Sequence, residues 1–101
     1  MNVESRFSDD HKLFTISIRG DFDFFLLKDF REAYSGKGVE SAKVVVDMSR
    51  TETIDSSALG MLLNMQKHLK KSDREITITN CNDVVGKIFD ITHFSKKFII
   101  E

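Results

Sequence analysis

The feature that most constrains the fold is Lys43-Val44-Val45-Val46-Asp47, a β-branched run without polar alternation, set between two stretches of helical periodicity. A strand apolar on both faces belongs inside a sheet, and strands joined through helices pair in parallel. Upstream, Phe24 to Tyr34 places Leu26 or Leu27, Phe30, Ala33 and Tyr34 at helical spacing and stops at Ser35-Gly36-Lys37-Gly38. Downstream, from Ser57 to Lys71, Leu59, Leu62, Leu63, Gln66 and Leu69 recur near one face. Lys67, His68, Lys70 and Lys71 crowd the last turns, where the helix dipole favours cations.

The remaining segments complete an alternating pattern. From Leu13 to Arg19, Phe14, Ile16 and Ile18 share one face and Thr15, Ser17 and Arg19 the other, and Gly20 breaks the run. Val3 to Phe7 reads as a hairpin partner across Ser8-Asp9-Asp10-His11. Glu75 to Thr79 alternates as a strand, Asn82 can cap a short helix carrying Val84, Val85, Ile88 and Phe89, and Phe98-Ile99-Ile100 suggests a last strand. The order ββαβαβαβ predicts an α/β fold, a mixed β-sheet with right-handed β-α crossovers and helices on at least one face.

Composition limits the function. The 101 residues suit one domain, residues 1–101, and no linker or repeat divides them. Fifteen Lys+Arg against sixteen Asp+Glu leave no basic footprint, so neither nucleic acid nor a membrane surface is an expected partner. Cys81 is the single cysteine, which fits a reducing compartment, and no export signal or membrane-length apolar run is apparent; a cytoplasmic location is expected. No phosphate loop, metal-ligand spacing or G-x-S-x-G setting occurs, so we expect no cofactor, no metal and no intrinsic enzyme activity.

The densest chemistry lies between the central strand and the second helix, from Asp47-Met48-Ser49 to Ile54-Asp55-Ser56-Ser57-Ala58-Leu59-Gly60. Asp55, Ser56 or Ser57 should accept a hydrogen bond from an N–H of the first helical turn, and plain capping is one reading of the run. Two serines leave a hydroxyl spare. Phosphorylation there would set about −1.5 to −2 of charge against the positive end of the dipole, beside Asp55 and the Asp21 and Asp23 carboxylates. Met61, Met65 and His68 lie at i, i+4 and i+7 on a flank of that helix, where core packing and an adaptable partner surface are both open.

The Gly20-Asp21-Phe22-Asp23 segment, Asp47-Met48-Ser49 and Ile54-Asp55-Ser56-Ser57-Ala58-Leu59-Gly60 resemble those of STAS domains, the family of anti-sigma factor antagonists. Asn80-Cys81-Asn82, Val84-Val85-Gly86-Lys87-Ile88-Phe89 and Phe94-Ser95-Lys96-Lys97-Phe98 are similar to that family in the same order, so the resemblance covers essentially the whole chain. It implies that Ser56 is the phosphorylated serine and Ser57 the cap. A partner face would form from Asp21, Phe22, Asp23, Asp55, Ser56, Ser57, Ala58, Met61 and Met65. Implied partners are a serine kinase or anti-sigma factor of the histidine-kinase-like ATPase type and a PP2C-like phosphatase, alone or carried on a response regulator. A STAS regulator of biofilm or motility acting on a non-sigma target is the alternative, as is a constitutive binding scaffold. Ala58 stands where glycine is usual in the family, and longer relatives add a final helix beyond the position of Glu101.

Overall fold

The computed structural model describes residues 2–101. Its elements are β1 (Val3–Phe7), β2 (Leu13–Phe22), a 3-10 turn at Phe24–Leu26, α1 (Leu27–Tyr34), β3 (Lys43–Ile54), α2 (Ser56–His68), β4 (Thr77–Thr79), α3 (Asp83–Ile91) and β5 (Ile99–Ile100). Short 3-10 turns at Val39–Ser41 and Phe94–Lys96 join α1 to β3 and α3 to β5. The expected ββαβαβαβ order is therefore present.

The five strands lie in the order β1-β2-β3-β4-β5, antiparallel between β1 and β2 and parallel thereafter. Because consecutive strands are neighbours, crossovers of one hand put every helix on the same face. Alternating burial agrees with this: Phe14, Ile16 and Ile18 of β2 and Val44, Val46 and Met48 of β3 are buried, whereas Thr15, Ser17, Val45 and Asp47 on the opposite face stay partly exposed. From the helix side, Leu26, Phe30 and Tyr34 of the first helical segment, Leu62, Met65 and Leu69 of the second and Val85 and Phe89 of the third enter that core. Phe22, Phe30 and Tyr34 form a chain of tilted and edge-on rings with centroids 5.1 and 5.5 Å apart, geometry that the ring quadrupoles favour.

Two strands run further than their sequence patterns predict. Gly20 does not end β2; it adopts φ +80 inside it, at one of two register shifts. Between the Ser17–Asp47 and Phe22–Ile54 pairs, β3 carries two more residues than β2, so the shifts act as bulges that bend β3 while pairing continues. Such a bulge orphans ladder groups. The buried Thr51 hydroxyl compensates by donating to the Ile18 carbonyl at 2.7 Å, while on the other side of β2 the Arg19 amide extends the β1 ladder by donating to the Asn2 carbonyl at 2.8 Å. Residues 48–54, whose hydroxyls and charged Arg50 and Glu52 read as a loop, are thus strand.

Asp47 ties the sheet to the turn after β4. Its Oδ1 accepts from the Ser49 amide at 3.0 Å and the Asn80 side-chain amide at 3.2 Å. Burial alone would push this carboxyl up, but the Ser49 and Asn80 bonds and the Arg6 charge together hold it below its ordinary value. A lowered folded-state pKa gives stability that is present at neutral pH and lost as pH falls through that pKa. In denaturant titrations between about pH 5 and about pH 3, Asp47→Asn should lose less stability than the wild type. Thr51→Val, which leaves the Ile18 carbonyl unpaired in the core, should lower unfolding free energy by about 1–3 kcal/mol in urea melts.

Candidate functional site

Because β3 continues to Ile54, a single residue separates strand from helix, and the cap position falls on Asp55. Its backbone is extended, with φ −118 and ψ −177, and its Oδ1 accepts from the Ala58 amide at 2.9 Å. This is N-cap geometry with the bond made to N3. Asp55, not Ser57, therefore caps α2, and the expected start at Ser57 moves one residue back. Ser56 is the first helical residue and is exposed; Ser57 follows, partly buried. With the cap supplied by a carboxylate, neither hydroxyl is spent on it.

The same end of the sheet gathers the other candidate residues. Asp21 pairs with Thr53 and Phe22 with Ile54 in the β2–β3 ladder. The Thr53 hydroxyl donates to Asp21 Oδ1 at 2.8 Å, and the Asp55 amide donates to the Phe22 carbonyl at 3.4 Å. Asp23 closes the strand by capping the following 3-10 turn, its Oδ1 accepting from the Phe25 amide at 3.0 Å. Asn82 has two tasks: its Oδ1 caps α3 through the Val85 amide at 2.8 Å, and its Nδ2 donates to the Thr51 and Glu52 carbonyls at 3.2 and 3.1 Å. The carboxyl ends of β2 and β3 therefore present Asp21, Asp23 and Asp55 beside the Ser56 hydroxyl. Among the described residues, no group of three or more His, Cys, Asp or Glu side chains could hold a metal ion, and no helix is long and apolar enough to cross a membrane.

Four residues expected at a partner face are interior. Phe22 and Ala58 are fully buried, as is Met65, and Met61 is nearly so. Phe22 points inward because β2 continues to it with its alternation restored after the bulges. Met61 and Met65, spaced i and i+4, face the sheet, while Leu63 on their far side is exposed; α2 is rotated from the leucine-centred orientation that its pattern suggests. Their side chains are core, and the exposed surface is left to Asp21, Asp55 and Ser56, with the partly buried Asp23 and Ser57 at its edge.

Two aromatic residues outside the expected site also lie at this end of the sheet. Phe24 is 61% and Phe25 90% exposed, immediately after Asp23. A signal was present: Leu26, Phe30 and Tyr34, at i, i+4 and i+8, already fill the inward stripe of the first helix, so the two preceding phenylalanines have no place on it. Exposed rings beside a rim of carboxylates are the composition of a binding surface, an apolar anchor with polar surroundings.

Two substitutions separate the roles of the neighbouring side chains. Asp55→Ala should cost about 0.5–2 kcal/mol in a chemical melt as the cap is lost, whereas Ser56→Ala should stay within about 0.5 kcal/mol of the wild type. Met65→Ala should cost about 2–5 kcal/mol, the loss expected of a core side chain and far larger than that of a surface one.

Comparison with known proteins agrees with this architecture. The STAS domain family model matches residues 2–101. A STAS-domain containing protein of Pseudomonas aeruginosa is 40% identical over 93 residues, covering 92% of both chains, and an anti-sigma-B factor antagonist of Staphylococcus aureus is 24% identical over 91% of this chain and 84% of its own. Among solved structures, an anti-sigma factor antagonist from Mycobacterium paratuberculosis superposes with a TM-score of 0.70 at 16% identity, over 97% of this chain and 84% of that one. The anti-sigma factor antagonist SpoIIAA in its unphosphorylated form gives a TM-score of 0.68 at 14% identity, over 98% and 86%. With the family model spanning residues 2–101 and a STAS-domain relative 40% identical over 92% of both chains, the chain belongs to the STAS domain family.

Proposed function

We propose that the protein is a phosphorylation-controlled binding switch in a bacterial partner-switching pathway, with Ser56 as its modified residue. The unmodified form binds a regulator of the anti-sigma factor or serine-kinase type, phosphorylation of Ser56 releases that regulator, and a PP2C-like phosphatase resets the switch. Catalysis belongs to those partners, and this chain supplies the binding surface and the acceptor hydroxyl.

The observation that carries the reading is the division of labour at the start of α2: Asp55 holds the cap, and the exposed Ser56 hydroxyl is free for modification. A phosphate on the first helical residue meets the positive end of the helix dipole, so the helix tolerates it. Outside the helix it adds about two negative charges next to Asp55 and the Asp21 and Asp23 carboxylates. A partner that engages this rim with basic groups and receives Phe25 in an apolar pocket then loses its fit through excess charge and altered hydration. Membership in a family that includes anti-sigma factor antagonists supports the same reading.

Intact-mass measurement after incubation with the cognate kinase and ATP should find a single phosphate on the wild type and none on Ser56→Ala. Phosphate appearing on Ser56→Ala in equal amount would move the switch to another residue. In pull-downs with the same partner, Ser56→Ala should remain bound after kinase treatment while the wild type is released.

A further inference from the structure

The sheet face without helices carries a polar groove of about 340 Å3, opened where β3 bulges away from β2. Arg6 of β1, Arg19 of β2 and Arg50 of β3 line it, together with Ser17 and Ser49. Arg19 and Arg50 are direct partners in the parallel ladder, so two like charges stand opposite each other on neighbouring strands. Like charges in that arrangement repel and destabilise a sheet. The Glu4 and Asp47 carboxylates share the lining, but among the described residues neither forms an ion pair with Arg19 or Arg50, and Oδ1 of Asp47 is taken by the Ser49 and Asn80 amides.

We propose that this groove binds a small phosphate-bearing molecule, with its phosphate seated between Arg19 and Arg50. Planar guanidinium groups match phosphate oxygens in bidentate fashion, and an anion between the two arginines converts their repulsion into charge-assisted hydrogen bonds. The Ser17 and Ser49 hydroxyls add donors, and Arg6 extends the positive lining towards β1. Glu4, on the same wall, accepts from a hydroxyl or amino group of the ligand, so a phosphate ester bearing such groups fits better than a bare polyanion. The volume lies in the range of small-ligand sites. The groove shares no residue with the Ser56 rim, so the proposal stands independently of the phosphorylation reading.

Amide-detected NMR titration of the intact protein with inorganic pyrophosphate and with ribose 5-phosphate, at ionic strength matched by sodium chloride, tests the site. Saturable shifts are expected at Arg19, Ser49 and Arg50, with dissociation constants below about 1 mM and the ester binding more tightly. Arg19→Gln and Arg50→Gln should each weaken binding at least about tenfold, while Lys87→Gln on the exposed side of α3 should leave it unchanged. The ligand-free Arg50→Gln protein should also melt at a higher temperature than the wild type, because the opposed charges are relieved. The proposal is overturned if the shifts do not saturate by about 10 mM, if sodium chloride alone reproduces them, or if folded Arg19→Gln and Arg50→Gln proteins bind with wild-type affinity.

Discussion

The parallel pairing of β2 with β3 is the interaction on which the rest of the structure depends. It would end near Asp47 if the bulges simply broke it. The Thr51 hydroxyl on the Ile18 carbonyl and the positive φ of Gly20 let it continue to Phe22 and Ile54 instead. The consequence is positional. With strand pairing maintained to Ile54, only Asp55 remains to make the turn into α2, so a carboxylate takes the cap and the first helical position falls on an exposed serine.

Under the proposed switch, that arrangement separates stability from signalling. A capping hydroxyl that is phosphorylated has to pass its bond to a phosphate oxygen and rearrange the helix start, whereas one placed after a carboxylate cap can be modified while the bond to the Ala58 amide stays in place. The neighbouring carboxylates serve structural ends as well: Asp21 accepts from Thr53 and Asp23 caps the turn that precedes α1. Their charges are therefore fixed in position near Ser56, and one phosphate there would change the local field without reorganising the backbone. The exposed Phe24 and Phe25 add the apolar area that a rim of carboxylates alone does not supply.

Much of this was legible in the residues. Alternation in Phe14-Thr15-Ile16-Ser17-Ile18, the β-branched run at Val44-Val45-Val46 and the Asn82 cap each report a local preference that tertiary packing reinforces, and these elements lie where the pattern puts them. The exceptions share a cause. Residues 48–54 carry three hydroxyls and the charged Arg50 and Glu52, which imitate a loop, because a bulged strand at the end of a sheet turns several side chains to solvent and loses its strict period. Helix rotation was equally hidden: α2 has leucines and methionines on adjoining faces, and only docking against the sheet decides that Met61 and Met65 go inward and Leu63 outward. The opposed Arg19 and Arg50 depend on the register shift, which no local pattern encodes.

The central claim is that Ser56 can carry a phosphate while Asp55 keeps the helix capped. Its most direct test is amide hydrogen exchange on protein carrying phosphoserine at position 56, installed during synthesis, compared with the unmodified chain. The account predicts that protection at Ala58 and through the first turn of α2 is retained, with chemical-shift changes confined to the Asp21, Asp23 and Asp55 rim. Loss of protection at Ala58 and along the start of α2 would contradict it, since the serine would then be part of what holds the helix start.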